Sequence, residues 1–66
     1  MNKTYYVPNI HCQHCVHTVK MELSELPGVE KVDVDLNSKM VSVTMESAEI
    51  EKDILALLDE IGYPAA

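Results

Sequence analysis

Apolar and polar positions recur along the chain with two different periods, and the switches between them divide it into five elements. Over Lys3 to Val7 the alternation has a period of two, with Tyr5 and Val7 on one face, which predicts a short strand. Pro8-Asn9 breaks that strand, and a loop holding Ile10, His11 and Cys12 follows. From about Cys15 to Glu25 the spacing becomes helical: Val16, Val19, Leu23 and Leu26 fall three or four residues apart, while Lys20 and Glu25 face water. Pro27-Gly28 stops this helix. Val29 to Leu36 alternates again, setting Val32, Val34 and Leu36 against Lys31, Asp33 and Asp35. Asn37-Ser38 carries turn chemistry, and Met40 to Met45 then sets Val41, Val43 and Met45 against Ser42 and Thr44, so the two runs form a hairpin. Ser47 is the expected N-cap of a second helix, with Glu49 and Glu51 in its first turn. Its apolar face is Ile50, Ile54, Leu57, Leu58 and Ile61, and Gly62 ends it ahead of Pro64.

The order strand, helix, strand, strand, helix predicts an α+β fold, a ferredoxin-like βαββα(β) open-faced sandwich. Each helix has one apolar stripe, so both must lie on the same face of an antiparallel sheet whose other face is polar and wet. The last strand of that layout is missing or vestigial, because Tyr63-Pro64-Ala65-Ala66 is short and Pro64 has no N–H to give a ladder. One edge of the first strand is then exposed, as a liability or a docking edge. With 66 residues and no linker or low-complexity segment, residues 1–66 form one domain.

Composition narrows the function. The chain is 47% hydrophobic, enough for one core, and carries 11 acidic residues against 5 lysines with no arginine, a net charge of -6. That balance argues against nucleic acid, which needs cations against phosphate, and against a basic membrane-surface helix. The acid excess either keeps a small protein in solution, the simpler reading, or steers it to a basic patch on a partner. No apolar run is long enough to span a bilayer, and Tyr5-Tyr6-Val7 before Pro8 is no signal-peptide core, so the expected location is cytoplasmic. The initial Met and the immediate first strand favour a free-standing protein.

All the cysteines and histidines of the chain lie between His11 and His17: His11, Cys12, His14, Cys15 and His17. Random placement would rarely produce this. Cys12 in the loop and Cys15 in the first helical turn bring two thiols to the helix N-terminus, where free N–H groups and the positive dipole end favour thiolate. Thiolates are soft ligands for Cu(I), Zn(II) and similar ions. Two of them do not complete a four-ligand structural zinc site, and the chain has no second pair. The site is therefore low-coordinate, or gains a histidine, or is shared with a second molecule. An exposed two-thiolate site suits exchange of metal better than storage.

The run Ile10-His11-Cys12-Gln13-His14-Cys15, with Leu26-Pro27-Gly28-Val29 after the first helix and Gly62-Tyr63 after the second, resembles the heavy-metal-associated domain family over nearly the whole chain. This family includes small bacterial copper chaperones and the metal-binding domains of P-type metal-transporting ATPases. The resemblance implies metal ligation by Cys12 and Cys15, and Cu(I) transfer by thiol exchange to such an ATPase or its metal-binding domain. It also implies a monomer with a possible metal-bridged dimer. Ile10 takes the place of a methionine that props the loop from the core, and Asn9 that of a glycine, acceptable if the loop needs a positive φ. Tyr63 matches a loop tyrosine beside the site, and His14 resembles a residue common in bacterial members that tunes exchange or simply faces solvent. His11 stands where copper members carry Thr or Ser. It is either a third ligand, which would pull the site toward Zn(II) or Cd(II), or a solvated loop residue.

A thiol–disulfide redox protein is the rival from another class, since redox pairs also use Cys-x-x-Cys at a helix start. The chain lacks the length of a thioredoxin-type fold and the aromatic residue before the first cysteine. Enzyme activity is not expected, because a domain this small has little room for a cleft. Met21, Met40 and Met45 do not cluster near the cysteines in sequence, which argues against a methionine-rich copper site.

Overall fold

The computed structural model describes residues 1–66. Its elements are β1 (Asn2–Tyr6), α1 (Gln13–Ser24), β2 (Val29–Asp35), β3 (Met40–Met45) and α2 (Ile50–Glu60). The sheet is antiparallel, with strand order β1-β3-β2. The predicted fold class is therefore the observed one, and β3 has the predicted bounds. Val41, Val43 and Met45 are buried while Ser42 and Thr44 are only half-buried, as a period of two with one covered face requires.

Both helices cover one face. Val19 and Leu23 of α1, Ile54 and Leu58 of α2, and Val32, Val41, Val43 and Met45 of the sheet share a core with Val7, Ile10 and Cys15. Tyr5 reaches from β1 to α2, donating its hydroxyl to Glu51 Oε2 at 2.9 Å. Burial first, and the Glu51 carboxylate second, push its phenol up to about 12. On the other face Asn2 lies opposite Thr44, and Thr4 and Asp33 flank Ser42, so that surface is polar. No helix is long and apolar enough to cross a membrane.

Among the connections one expectation fails, the N-cap of α2, and two are refined. Helix α1 ends at Ser24 with Glu25 as its C-cap, ahead of Pro27-Gly28 as expected. That dipeptide occupies the centre of a type II turn, with Gly28 at φ 90° and Val29 N–H bonded to the Leu26 carbonyl at 3.2 Å. A Cβ on Gly28 would collide with Ile50. Ser47 does not cap α2; the N-cap is Glu49, and the Ser47 and Ala48 carbonyls accept the Ile50 and Glu51 N–H groups in a tight lead-in turn. Asn37-Ser38 lie in the hairpin turn as expected, and Lys39 after them takes the left-handed region, at φ 61°. The vestigial last strand survives as one bond, Ala66 N–H to the Tyr6 carbonyl at 2.8 Å.

Candidate metal centre

The loop between β1 and α1 is tied down at each step. Val7 N–H bonds to the Lys39 carbonyl at 2.8 Å, and Ile10 N–H to the Val7 carbonyl at 3.2 Å. Ile10 is fully buried beneath the loop, as the family resemblance implied. Cys12 is the N-cap of α1, with an extended backbone at φ -157°, ψ 169°, and its carbonyl accepts Val16 N–H at 3.2 Å. No side chain caps this helix and no acid stands in its first turn, so its N–H groups and dipole end face the thiols unopposed.

The Cys12 and Cys15 sulfurs are 3.4 Å apart and both thiols are free. They are not equivalent. Cys12 is half-exposed, whereas Cys15 is only 3% exposed and belongs to the core. The expectation of an exposed pair is thus corrected: burying Val19 and Leu23 on one helix face carries Cys15, four residues before Val19, inward with them. The Cys15 thiol is lowered to about 6 from 9.0, foremost by hydrogen bonding from the Tyr63 hydroxyl, then by the His11 backbone N–H, against an opposing effect of burial. The same contact raises Tyr63. Local helix-start arguments led to the same direction, but the leading cause is a residue from the far end of the chain.

Tyr63 owes its position to the end of α2. Gly62, at φ 89°, lets Tyr63 N–H return to the Leu58 carbonyl at 2.8 Å and Gly62 N–H to Asp59 at 3.2 Å, a Schellman closure. Asn9 locks this turn to the metal loop through Nδ2 to the Gly62 carbonyl, 3.1 Å. Asn9 does not have a positive φ; its side chain, not backbone freedom, is what the loop uses.

His11, Cys12 and Cys15 bring one ligand atom each to within 4.8 Å of one another, a group that could hold a metal ion. His11 Nδ1 is 3.8 Å from Cys15 Sγ and 2.7 Å from the Asn9 carbonyl. A carbonyl only accepts, so Nδ1 carries the proton and has no lone pair to offer in this arrangement. His14 and His17 are exposed and stand outside the group. Two sulfurs about 2.3 Å from one ion stand about 3.8 Å apart at the tetrahedral angle and about 4.6 Å apart when collinear. The observed 3.4 Å suits a bent arrangement with small opening. A collinear arrangement needs a wider separation, and Cys12, the half-exposed partner on the loop side, is the one with room to move.

Two residues that position the loop, Asn9 through its side chain and Lys39, carried no signal in the sequence that would have marked them for this role. Lys39 Nζ donates to the Ile10 carbonyl at 2.8 Å. A lysine beside a turn is ordinary, and only its φ sets it apart.

The model of the heavy-metal-associated domain matches residues 4–64. The chain is 37% identical over 65 residues to the copper chaperone CopZ of Bacillus subtilis, covering 97% of this chain and 94% of that one. It is 38% identical over 65 residues to the periplasmic component of the mercuric transport protein of Pseudomonas aeruginosa, covering 96% of this chain and 70% of that one. Among solved structures, oxidized MerP of Ralstonia metallidurans superposes with a TM-score of 0.83 at 28% identity, over 100% of this chain and 96% of that one.

Proposed function

The chain belongs to the heavy-metal-associated domain family, and on that footing we propose that it is a metal carrier: Cys12 and Cys15 take up one soft ion, Cu(I) first, and pass it on by thiol exchange. The observation that carries this reading is the asymmetry of the pair. Cys15 is anchored in the core with a thiol lowered to about 6, so it presents thiolate at neutral pH. Cys12 is half-exposed at the loop and free to open. One fixed and one movable thiolate let an incoming thiol attack the ion at the Cys12 side while Cys15 still holds it, and the ion is shared before it leaves.

The recipient we propose is a homologous domain, such as the metal-binding domain of a metal-transporting P-type ATPase, reached from a monomeric carrier. A copy-to-copy metal bridge through the same exposed side is the route to a dimer. The cytoplasm, which keeps thiols reduced, suits this cycle. A copper chaperone and a mercuric transport protein among the relatives support a soft cargo. Titration of the reduced protein with Cu(I) against a competing chelator tests the reading: one ion bound per chain is expected, and binding unchanged in the Cys12→Ser, Cys15→Ser double variant would overturn it. Turnover of a dithiol substrate without tight metal binding would favour the redox reading instead.

A second reading, a Zn(II) or Cd(II) module with His11 as third ligand, draws on the 4.8 Å grouping. It requires Nδ1 to leave the Asn9 carbonyl, and it predicts that His11→Ser weakens divalent binding strongly and Cu(I) binding little.

A further inference from the structure

Lys39 combines two features that have no common explanation in the turn itself. Its backbone sits at φ 61°, the left-handed region that costs an ordinary L-residue free energy and that glycine or asparagine fills more readily. Asn37 and Ser38, the turn formers, stand just before it in ordinary regions. A strained residue of the wrong type persists where something else over-determines it. Here that something is on the side chain: the ammonium reaches across the top of the sheet and donates to the Ile10 carbonyl at 2.8 Å. The Lys39 carbonyl meanwhile accepts Val7 N–H, also at 2.8 Å. Lys39 therefore grips the metal loop at both ends of its first half, Val7 by backbone and Ile10 by side chain.

The gripped carbonyl is well placed to matter. The Ile10 carbonyl belongs to the peptide group that leads directly into His11 and Cys12, so the contact sits two residues before the half-exposed thiol. A charge-assisted bond from the ammonium is stronger than a neutral one and fixes the plane of that peptide. With Ile10 buried on the core side, both the side chain and the carbonyl of the residue before His11 are held, and with them the direction in which the loop enters the N-cap at Cys12. Among the other lysines, none bonds to the loop; Lys31 pairs with Asp33 in solvent.

We propose that Lys39 is a positioning residue for the metal centre: its ammonium holds the Ile10–His11 peptide so that the loop keeps Cys12 beside the anchored Cys15, with the sulfurs 3.4 Å apart, and retains the metal. Lys39 touches neither the ion nor its ligands and acts through one peptide group. The inference rests on the carrier reading above.

Glycine at this position separates the two roles, because it fits φ 61° better than lysine while deleting the ammonium. Wild type, Lys39→Gly and Lys39→Arg are each titrated with Cu(I) against a chelator and followed for metal release to excess chelator, and their thermal midpoints are measured without metal. Lys39→Gly is expected to weaken affinity or speed release about tenfold, the scale found for groups that orient metal ligands, with a midpoint equal to or above that of wild type. Lys39→Arg, which keeps the cation, is expected to stay close to wild type. Unchanged affinity and release in Lys39→Gly would overturn the inference while leaving the carrier reading intact. So would a loss that comes with a lowered midpoint and is not recovered by arginine, since Lys39 would then be a fold residue. Absence of Cys12- and Cys15-dependent binding in wild type would overturn the carrier reading, and this inference with it.

Discussion

The two helices of this domain begin in opposite ways. Helix α1 starts at an extended Cys12, α2 at Glu49 with a helical backbone, and neither has a side-chain cap. At α2 the positive end is met from within: Glu51 and Asp53 stand in its first turn, and the Ser47 and Ala48 carbonyls pre-turn the backbone before it. At α1 no acid stands in the first turn, and what faces the N–H groups is a pair of thiols 3.4 Å apart. Each helix start is an electrostatic resource of similar size. One is spent on folding by the helix's own carboxylates, and the other is left open for thiolate and, through it, a guest ion.

The contrast can be broken most severely from the α2 side. Gly28→Ala places a methyl against Ile50, the first residue of α2, at a φ that disfavours any side chain. We expect a loss of about 3 kcal/mol in urea unfolding, with Cu(I) binding by the remaining folded protein unchanged, because the thiols lie at the start of the other helix. A milder break on the α1 side is Ile10→Val, which removes one methyl from under the metal loop. It should cost about 1 kcal/mol and, unlike Gly28→Ala, also loosen the site, measurable as faster metal release.

Two further changes sharpen the comparison. Cys15 has a folded-state pKa of about 6, below its ordinary 9.0. A depressed acid binds fewer protons folded than unfolded between those values. The thiolate's contribution to stability is therefore full above pH 9.0, shrinks as pH falls, and is gone below about 6. The thermal midpoint of the reduced, metal-free protein should accordingly gain from this group as pH rises from about 6 to 9. In Tyr63→Phe the thiol should titrate at higher pH by ultraviolet thiolate absorbance, and this part of the pH dependence should flatten. The smallest effect is expected from Gln13→Glu, which gives α1 the first-turn acid that α2 already has. It should stabilise the helix by about 0.5 kcal/mol while raising the thiol pKa, so that stability and metal affinity move in opposite directions. A rise in both would mean that the open N-terminus of α1 is not what serves the thiolates.

Much of the fold was legible because its instructions are local. The period-two run Met40 to Met45 has the bounds of β3, and the helical spacing of Ile50, Ile54, Leu57, Leu58 and Ile61 marks the face that α2 turns to the core. The stop of α1 ahead of Pro27-Gly28 was equally local, but one expected cap fared less well. Ser47 lost the N-cap to Glu49, because the chain first makes a tight lead-in turn. That outcome depends on where the Gly28 turn meets the approach to α2, through Glu46 N–H to the Gly28 carbonyl at 2.8 Å and the packing of Ile50 against Gly28, which no single stretch of sequence encodes.

The same division holds at the candidate site. The amino-acid sequence alone determined that two cysteines three residues apart would meet at a helix start, that Ile10 would lie beneath them, and that an acidic chain without arginine would enclose them. The first follows from helical periodicity over a few residues, the second from the family resemblance, and the third from composition. Only the tertiary structure decided that Cys15 would be buried and Cys12 half-exposed, that Tyr63 would govern the buried thiol, and that Lys39 and Asn9 would pin the loop across sequence separations of 29 and 53 residues. Contacts of that span exist only once the sheet has closed and both helices have settled on it, because the closure entropy of such loops is met by the core and not by the bonds themselves.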